Sequence, residues 1–209
     1  MSKRWVMVAG ALLLCAAPSA VMAAAESMVT VTLGGQAPHG AFSDLAKSGS
    51  MAGLSAGYRL TRWLATGVDF TYFRSAGTHN GDPIDVFEPS TGKIVAITLA
   101  ENWTVTEMGL YAKAFVLERG RFSPYLRAGA GAYTIRYSQD VSVASAATTL
   151  GGSEQASDFG VSGGAGLRFR VVGGTSLGIE ALYHRIFAKS TRVNLLTTGI
   201  TMAFGPTGN

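Results

Sequence analysis

The side chains of this 209-residue chain with most scope for chemistry sit in short alternating segments. Arg59, Asp69, Glu107, Lys113, Arg127, Arg168, Arg170, Glu180 and His184 all fall on the polar side of such an alternation. A cluster of both signs on one face could relay protons, line a solute path, or supply a general acid and base. It could also simply pair its charges, because an ion taken out of water without a partner costs several kcal/mol. His184 is the natural candidate for a base. A nucleophile and an orienting acid would have to stand beside it. Ile186 occupies the position two residues on, Ser190 is six residues away, and no Asp or Glu follows Glu180. His39 and His79 have no companions at metal-ligand spacing. Gly34-Gly35, Gly151-Gly152 and Gly163-Gly164 lack the Lys-Ser/Thr pair and helix of a phosphate loop. Cys15 is the one cysteine, which excludes disulfides and thiolate metal sites. These residues therefore read as a structural ionic network, with no catalytic, cofactor-binding or metal residue and no cofactor.

The elements that must position these groups have period two. Residues 28–34, 50–60, 63–74, a segment ending near 116, and 122–137, 158–171, 175–187 and 192–204 read as eight strands. In the second, Ala52, Leu54, Ala56, Tyr58 and Leu60 share one face, and Gly53, Ser55, Gly57 and Arg59 the other. Residues 75–101 carry turn signals around Asn80-Gly81 and Pro89 to Gly92. Residues 84–87 and 94–99 look like strand, so the third and fourth strands are expected to continue as a hairpin. Residues 139–157, rich in Ser, Ala, Gly and Thr, read as a loop. Connections after strands two, four and six are short, and those after one, three and five are long.

Only 14% of the residues are charged, against about 25% in an average soluble domain. No stretch after the first 25 residues reaches the ~18 apolar residues of a spanning helix. Apolar surface spread through short alternating strands, with loop length segregated, is the pattern of a transmembrane barrel. In hydrocarbon an unpaired peptide group costs several kcal/mol, so the sheet must close on itself. The predicted fold is all-β, a closed antiparallel eight-stranded transmembrane β-barrel. At that size the bore is filled by side chains, which favours an ionic plug over a solute path.

Lys3 and Arg4 followed by an apolar stretch read as a secretory signal peptide over 1–23, with cleavage as late as 25 and a barrel domain over 24–209. Lipidation at Cys15 is the rival reading, but Leu14 stands where a small residue is expected. Without Lys3 and Arg4 the balance is 15 basic to 13 acidic residues, which gives no reason to expect a nucleic-acid partner. Trp63 and Trp103 read as interfacial girdle residues.

The segments Ser123-Pro124-Tyr125-Leu126-Arg127-Ala128-Gly129-Ala130-Gly131-Ala132, FGVSGGAGLRF (159–169) and SLGIEALY (176–183) resemble strands of the small outer-membrane β-barrel proteins, the OmpA/OmpX-like superfamily. The last strand resembles that family's assembly signal, with Thr197, Gly199, Met202 and Phe204 in the signal positions, although Gly205 to Asn209 follow the aromatic. The resemblance implies a cell outer-membrane location and contact with outer-membrane lipid, lipopolysaccharide and the barrel-assembly machinery. It implies a non-enzymatic surface or envelope role (adhesion, surface interaction or membrane integrity), with a host or surface partner reached through the long loops. A small hydrophobic-solute channel is the alternative. A lipid A-modifying enzyme is a further one, but the lipid A deacylase pattern of a His, a Ser two residues on and a later Glu is missing after His184. Intact-mass analysis of the purified protein is expected to show a chain beginning at Ala24 or Glu26. A retained leader or an added lipid mass would contradict that reading.

Overall fold

The computed structural model describes residues 26–81, 83–89, 92–117, 121–143, 146–171, 173–188 and 192–205. The expected signal segment with Cys15, the turn residues 118–120 and Ser190 lie outside the described residues.

Among the described residues nine strands run in chain order: β1 (Glu26–His39), β2 (Gly49–Arg59), β3 (Leu64–Ala76), β4 (Pro83–Glu88), β5 (Lys93–Phe115), β6 (Phe122–Val143), β7 (Ala146–Arg170), β8 (Thr175–Ile186) and β9 (Val193–Phe204). A 3-10 turn, Gly40–Asp44, follows β1. Each neighbouring pair is antiparallel, and the sheet closes because β1 pairs β9 from Val29↔Phe204 to His39↔Asn194 while β3 pairs β5. Eight strands form the closed barrel, and β4 is a ninth piece laid against the far end of β5.

Alternation decides which side of the wall each residue occupies. Outward Met108 and Ile200 are 67% and 65% exposed, whereas inward Tyr133 and Leu195 are fully buried. The outside is therefore apolar, the reverse of a soluble protein. Along β3 the outward run Leu64, Thr66, Val68, Phe70 and Tyr72 ends at Arg74, and β6 and β8 end their runs at Arg136 and Arg185. Ten residues at about 3.3 Å each, tilted by about 40°, rise roughly 25 Å, the height of the hydrocarbon band. The outward hydroxyl of Thr66 donates to the Tyr111 carbonyl at 2.8 Å, so it is not left unpaired in lipid. Exposed Tyr58, Trp63, Phe122 and Phe204 mark one interface, and Tyr72, Phe159, Tyr183 and Phe187 the other.

Two expectations are revised here. Residues 139–157, read as a loop, form strand where they are described. The β6–β7 ladder continues from Tyr133↔Asp158 through Gln139↔Gly152 to Ser142↔Thr149, with a register shift at Ser142/Val143. Beyond the lipid neither face must be apolar, so the hydrophobic alternation that marks a strand vanishes while the backbone ladder continues. The hairpin over 75–101 is present but carries the extra strand β4, paired from Pro83↔Thr98 to Glu88↔Lys93. As a result β5, β6 and β7 are 23, 22 and 25 residues long, whereas the other barrel strands have 11 to 14. With β4 they build a four-stranded sheet that continues about ten residues, roughly 30 Å along the strands, beyond the band. Both long hairpins lie at one mouth, which places it outside the cell.

On a detergent gel the unboiled protein is expected to migrate faster than the boiled protein. Identical migration would contradict a closed barrel.

Candidate functional site: a packed lumen beneath an open outer mouth

The lumen is filled in layers. In the middle, Arg127 of β6 donates to Asp69 of β3 at 2.7 Å and to Glu180 of β8 at 2.6 Å. Lys113 of β5 lies 3.4 Å from Glu180, and the Tyr125 hydroxyl donates to the same carboxylate at 2.9 Å. The Arg127 guanidinium also lies 4.8 Å from the Tyr111 ring centre, and the Lys113 ammonium 4.9 Å from that of Tyr125. A level higher, the Tyr133 hydroxyl donates to Glu107 at 2.5 Å, and His184 Nδ1 stands 3.1 Å from that hydroxyl and 3.3 Å from Glu107 Oε2. His184 Nε2 faces Thr197 Oγ1 at 3.2 Å, and that hydroxyl is directed at the Leu182 carbonyl. Tyr133 and Thr197 thus each commit their one proton elsewhere, so both imidazole nitrogens face acceptors.

Both clusters join β5 and β6 to β8 and skip β7, for a steric reason. The inward positions of β7 are Gly160, Ser162, Gly164 and Gly166. A Cβ at Gly166 would overlap Cζ and the hydroxyl of Tyr125, and one at Gly160 would lie 2.6 Å from a Tyr133 ring carbon. These two glycines are the hollows over which the tyrosines reach across the lumen.

Above this layer Phe42 from the 3-10 turn, Phe73, Ile135, Ile186, Val193 and Leu195 form a buried apolar plug. The Phe73 ring stands edge-on to His184 at 5.3 Å, so the histidine is covered from the outer side. Below it, Phe115, Tyr125 and Ala65 pack together. A cavity of about 10 Å³ remains there, close to the least that one water needs.

Of the nine residues read as an inward network, six meet in these clusters: Asp69, Glu107, Lys113, Arg127, Glu180 and His184. The structure places the other three at the short-turn mouth. Arg59 donates to the Thr61 and Arg62 carbonyls at 3.3 and 2.6 Å, and Arg59 and Arg168 lie 4.9 and 4.6 Å from the Phe115 ring centre. Arg170 ends β7 and is exposed. Alternation assigns a side chain to a face but not to a depth. Of the signal positions, Thr197 is buried inward and Phe204 is exposed to lipid, with Gly199 and Met202 on the same alternation.

The outer mouth was the least legible part. Trp103 does not lie in a girdle. It shares inward parity with Val105 and Glu107, so it packs edge-on to Phe42 at 5.3 Å and against Tyr137 at 4.6 Å. The Tyr137 hydroxyl donates to Glu101 at 3.0 Å. Burial and the Glu101 and Glu154 carboxylates push this hydroxyl up to about 12. The alternation of Tyr137, Gln139 and Val141 was the signal for this surface, obscured by the small polar residues after it. His39 is exposed at the outer end of β1 and His79 in the connection after β3.

A closed eight-stranded ring, apolar outside and ion-paired inside, with short turns at one mouth and tall hairpins at the other, is an integral outer-membrane barrel. This chain belongs to the outer membrane protein beta-barrel domain family, whose sequence pattern matches residues 7–205. No curated protein matches it. Among solved structures it is similar to Neisserial surface protein A, with 16% identity, 85% of this chain and 96% of that one covered, and a TM-score of 0.52. It is also similar to a major outer membrane protein from Thermus thermophilus, with 11% identity, 87% and 99% covered, and a TM-score of 0.54. Ail, the attachment invasion locus protein of Yersinia pestis, matches at 17% identity, 86% and 99% covered, and a TM-score of 0.47. At these identities the likeness concerns the fold.

Arg127→Leu leaves Asp69 and part of Glu180 buried without their partner. It is expected to lower stability by about 3–5 kcal/mol, read as the urea midpoint in lipid vesicles. Gly166→Val, which displaces Tyr125, should shift the midpoint in the same direction. An unchanged midpoint in both would show that the network does not hold the walls together.

Proposed function

We propose that this barrel has a non-enzymatic role at the cell surface, carried by its outer hairpins, and that the lumen network is structural. The observation that carries this reading is the contrast between the two halves of the molecule. The membrane half is packed from Phe115 to Phe42, with His184 only 2% exposed, so neither a substrate nor a solute has a described route to it. The outer half is an ordered sheet with backbone edges facing water.

The β4 edge is the best candidate for contact with a partner. Among the described residues it pairs with β5 alone, so its other side offers N–H and C=O groups without a described partner. Ile84, Val86, Phe87 and Ile94 are exposed beside it. An exposed apolar edge invites another strand, and strand addition is an established mode of peptide recognition. The partner of this reading is an extended polypeptide on a host or neighbouring surface. Thr197, Gly199, Met202 and Phe204 serve as the signal read by the barrel-assembly machinery, and lipopolysaccharide and lipid surround the apolar band. Residues 1–23 act as the export signal.

Deleting residues 77–99 joins Ala76 to Ala100 and leaves the β3–β5 pairing from Ala76↔Asn102 downward in place. The variant is expected to keep heat-modifiable migration and to lose attachment to surfaces. Retained attachment would remove the adhesion reading and leave an envelope-stability role. In planar bilayers the intact protein is expected to give no conductance steps. Steps of reproducible size would favour the hydrophobic-solute channel.

A further inference from the structure

A second outer feature is independent of the β4 edge. The register sets Trp103 of β5 beside Tyr137 of β6, and Tyr137 beside Glu154 of β7. This row crosses the inner face of the outer sheet and ends over a cavity of about 480 Å³. Phe42, Trp103, Tyr137, Glu154 and Asp158 are among the residues that line it. Glu101 stands behind Tyr137 with its carboxylate on the phenol. Among the described residues no lysine or arginine lines the cavity, although the chain as a whole is net basic.

We propose that this recess binds an organic cation, an ammonium or guanidinium group on an aliphatic stem. Aromatic faces attract a cation through their quadrupole, and Trp is the strongest of them. The Trp103 and Tyr137 rings, packed 4.6 Å apart at 41°, form one continuous aromatic surface against the cavity. The stem is covered by Phe42, Ile135 and Val193, and the charge is directed to the carboxylates of Glu154 and Asp158. The volume accommodates a single long side chain or a short amine and is small for a folded partner. The cation could be a free amine or a Lys or Arg side chain on a partner polypeptide, since the recognised chemistry is the same.

The test uses the processed protein, beginning at Ala24 or Glu26, in detergent micelles with Trp63→Phe, so that Trp103 is its one remaining tryptophan. Its fluorescence is titrated with n-butylammonium, n-butylguanidinium and the neutral N-butylurea at fixed low salt. Both cations are expected to give a saturable change that salt weakens, and the urea none. Glu154→Gln with Asp158→Asn is expected to raise the half-saturation concentration about fivefold or more, with heat-modifiable migration retained as the check on folding. Tighter binding of a blocked Gly-Lys-Gly peptide than of n-butylammonium would identify a polypeptide side chain as the source, and the reverse order a free amine. No saturable change, an equal response to the urea, or an unaltered curve in the double variant would each overturn the proposal.

Discussion

A peptide group that enters hydrocarbon takes its hydrogen-bond partner with it or leaves several kcal/mol behind. Every other feature of this molecule follows from meeting that demand without a helix. A sheet with two ends would expose a row of such groups at each, so β1 has to find β9, and the 11 register pairs from Val29↔Phe204 to His39↔Asn194 are where it does so. Once the ring is closed, period two divides the residues into a lipid side and a lumen side. The hydrophobic effect then acts in the opposite sense to a soluble protein, with Leu, Ile and Phe outside and the charges within.

The second constraint is the narrowness of an eight-stranded bore. Charged groups inside it are far from bulk water and have to be neutralised by one another. The solution is asymmetric. One wall, β7, is reduced to Gly and Ser, and the tyrosines of β6 lie over its glycines to reach carboxylates beyond. The ionic groups thereby connect strands that share no backbone hydrogen bonds, so the lumen braces the ring across its diameter. The network is capped by apolar layers at both levels where it would otherwise meet water.

Much of this was legible from residue order, because lipid imposes a sharp rule on every second position. The faces of β2 could be assigned from Leu54, Ala56 and Tyr58 against Gly53, Ser55 and Gly57. The inward placement of Asp69, Glu107, Lys113, Arg127, Glu180 and His184 followed in the same way. What was illegible lay where that rule lapses. Depth along a strand is not encoded in alternation, so Arg59, Arg168 and Arg170 could not be separated from the buried set. Above the bilayer nothing forces one face to be apolar, so residues 139–157 looked like a loop although β6 dictates their pairing. Phe42 contributes to the plug through a 3-10 turn whose own sequence carries no period, and the Trp103–Tyr137–Glu154 row exists only because three distant segments share a register.

The closure of β1 on β9 is the claim most directly open to measurement, since Cys15 is the chain's one native cysteine. With Cys15 replaced by alanine, cysteines are introduced in place of Val31 and Met202, which the ladder sets opposite one another. The control pairs Val31→Cys with Ile200→Cys, two residues out of register on the same face. Under mild oxidation in membranes, the first pair is predicted to cross-link rapidly within one chain, giving a covalently closed species on a denaturing gel, and the control slowly. Equal rates for the two pairs, or no cross-link in either, would contradict a ring sealed at this seam.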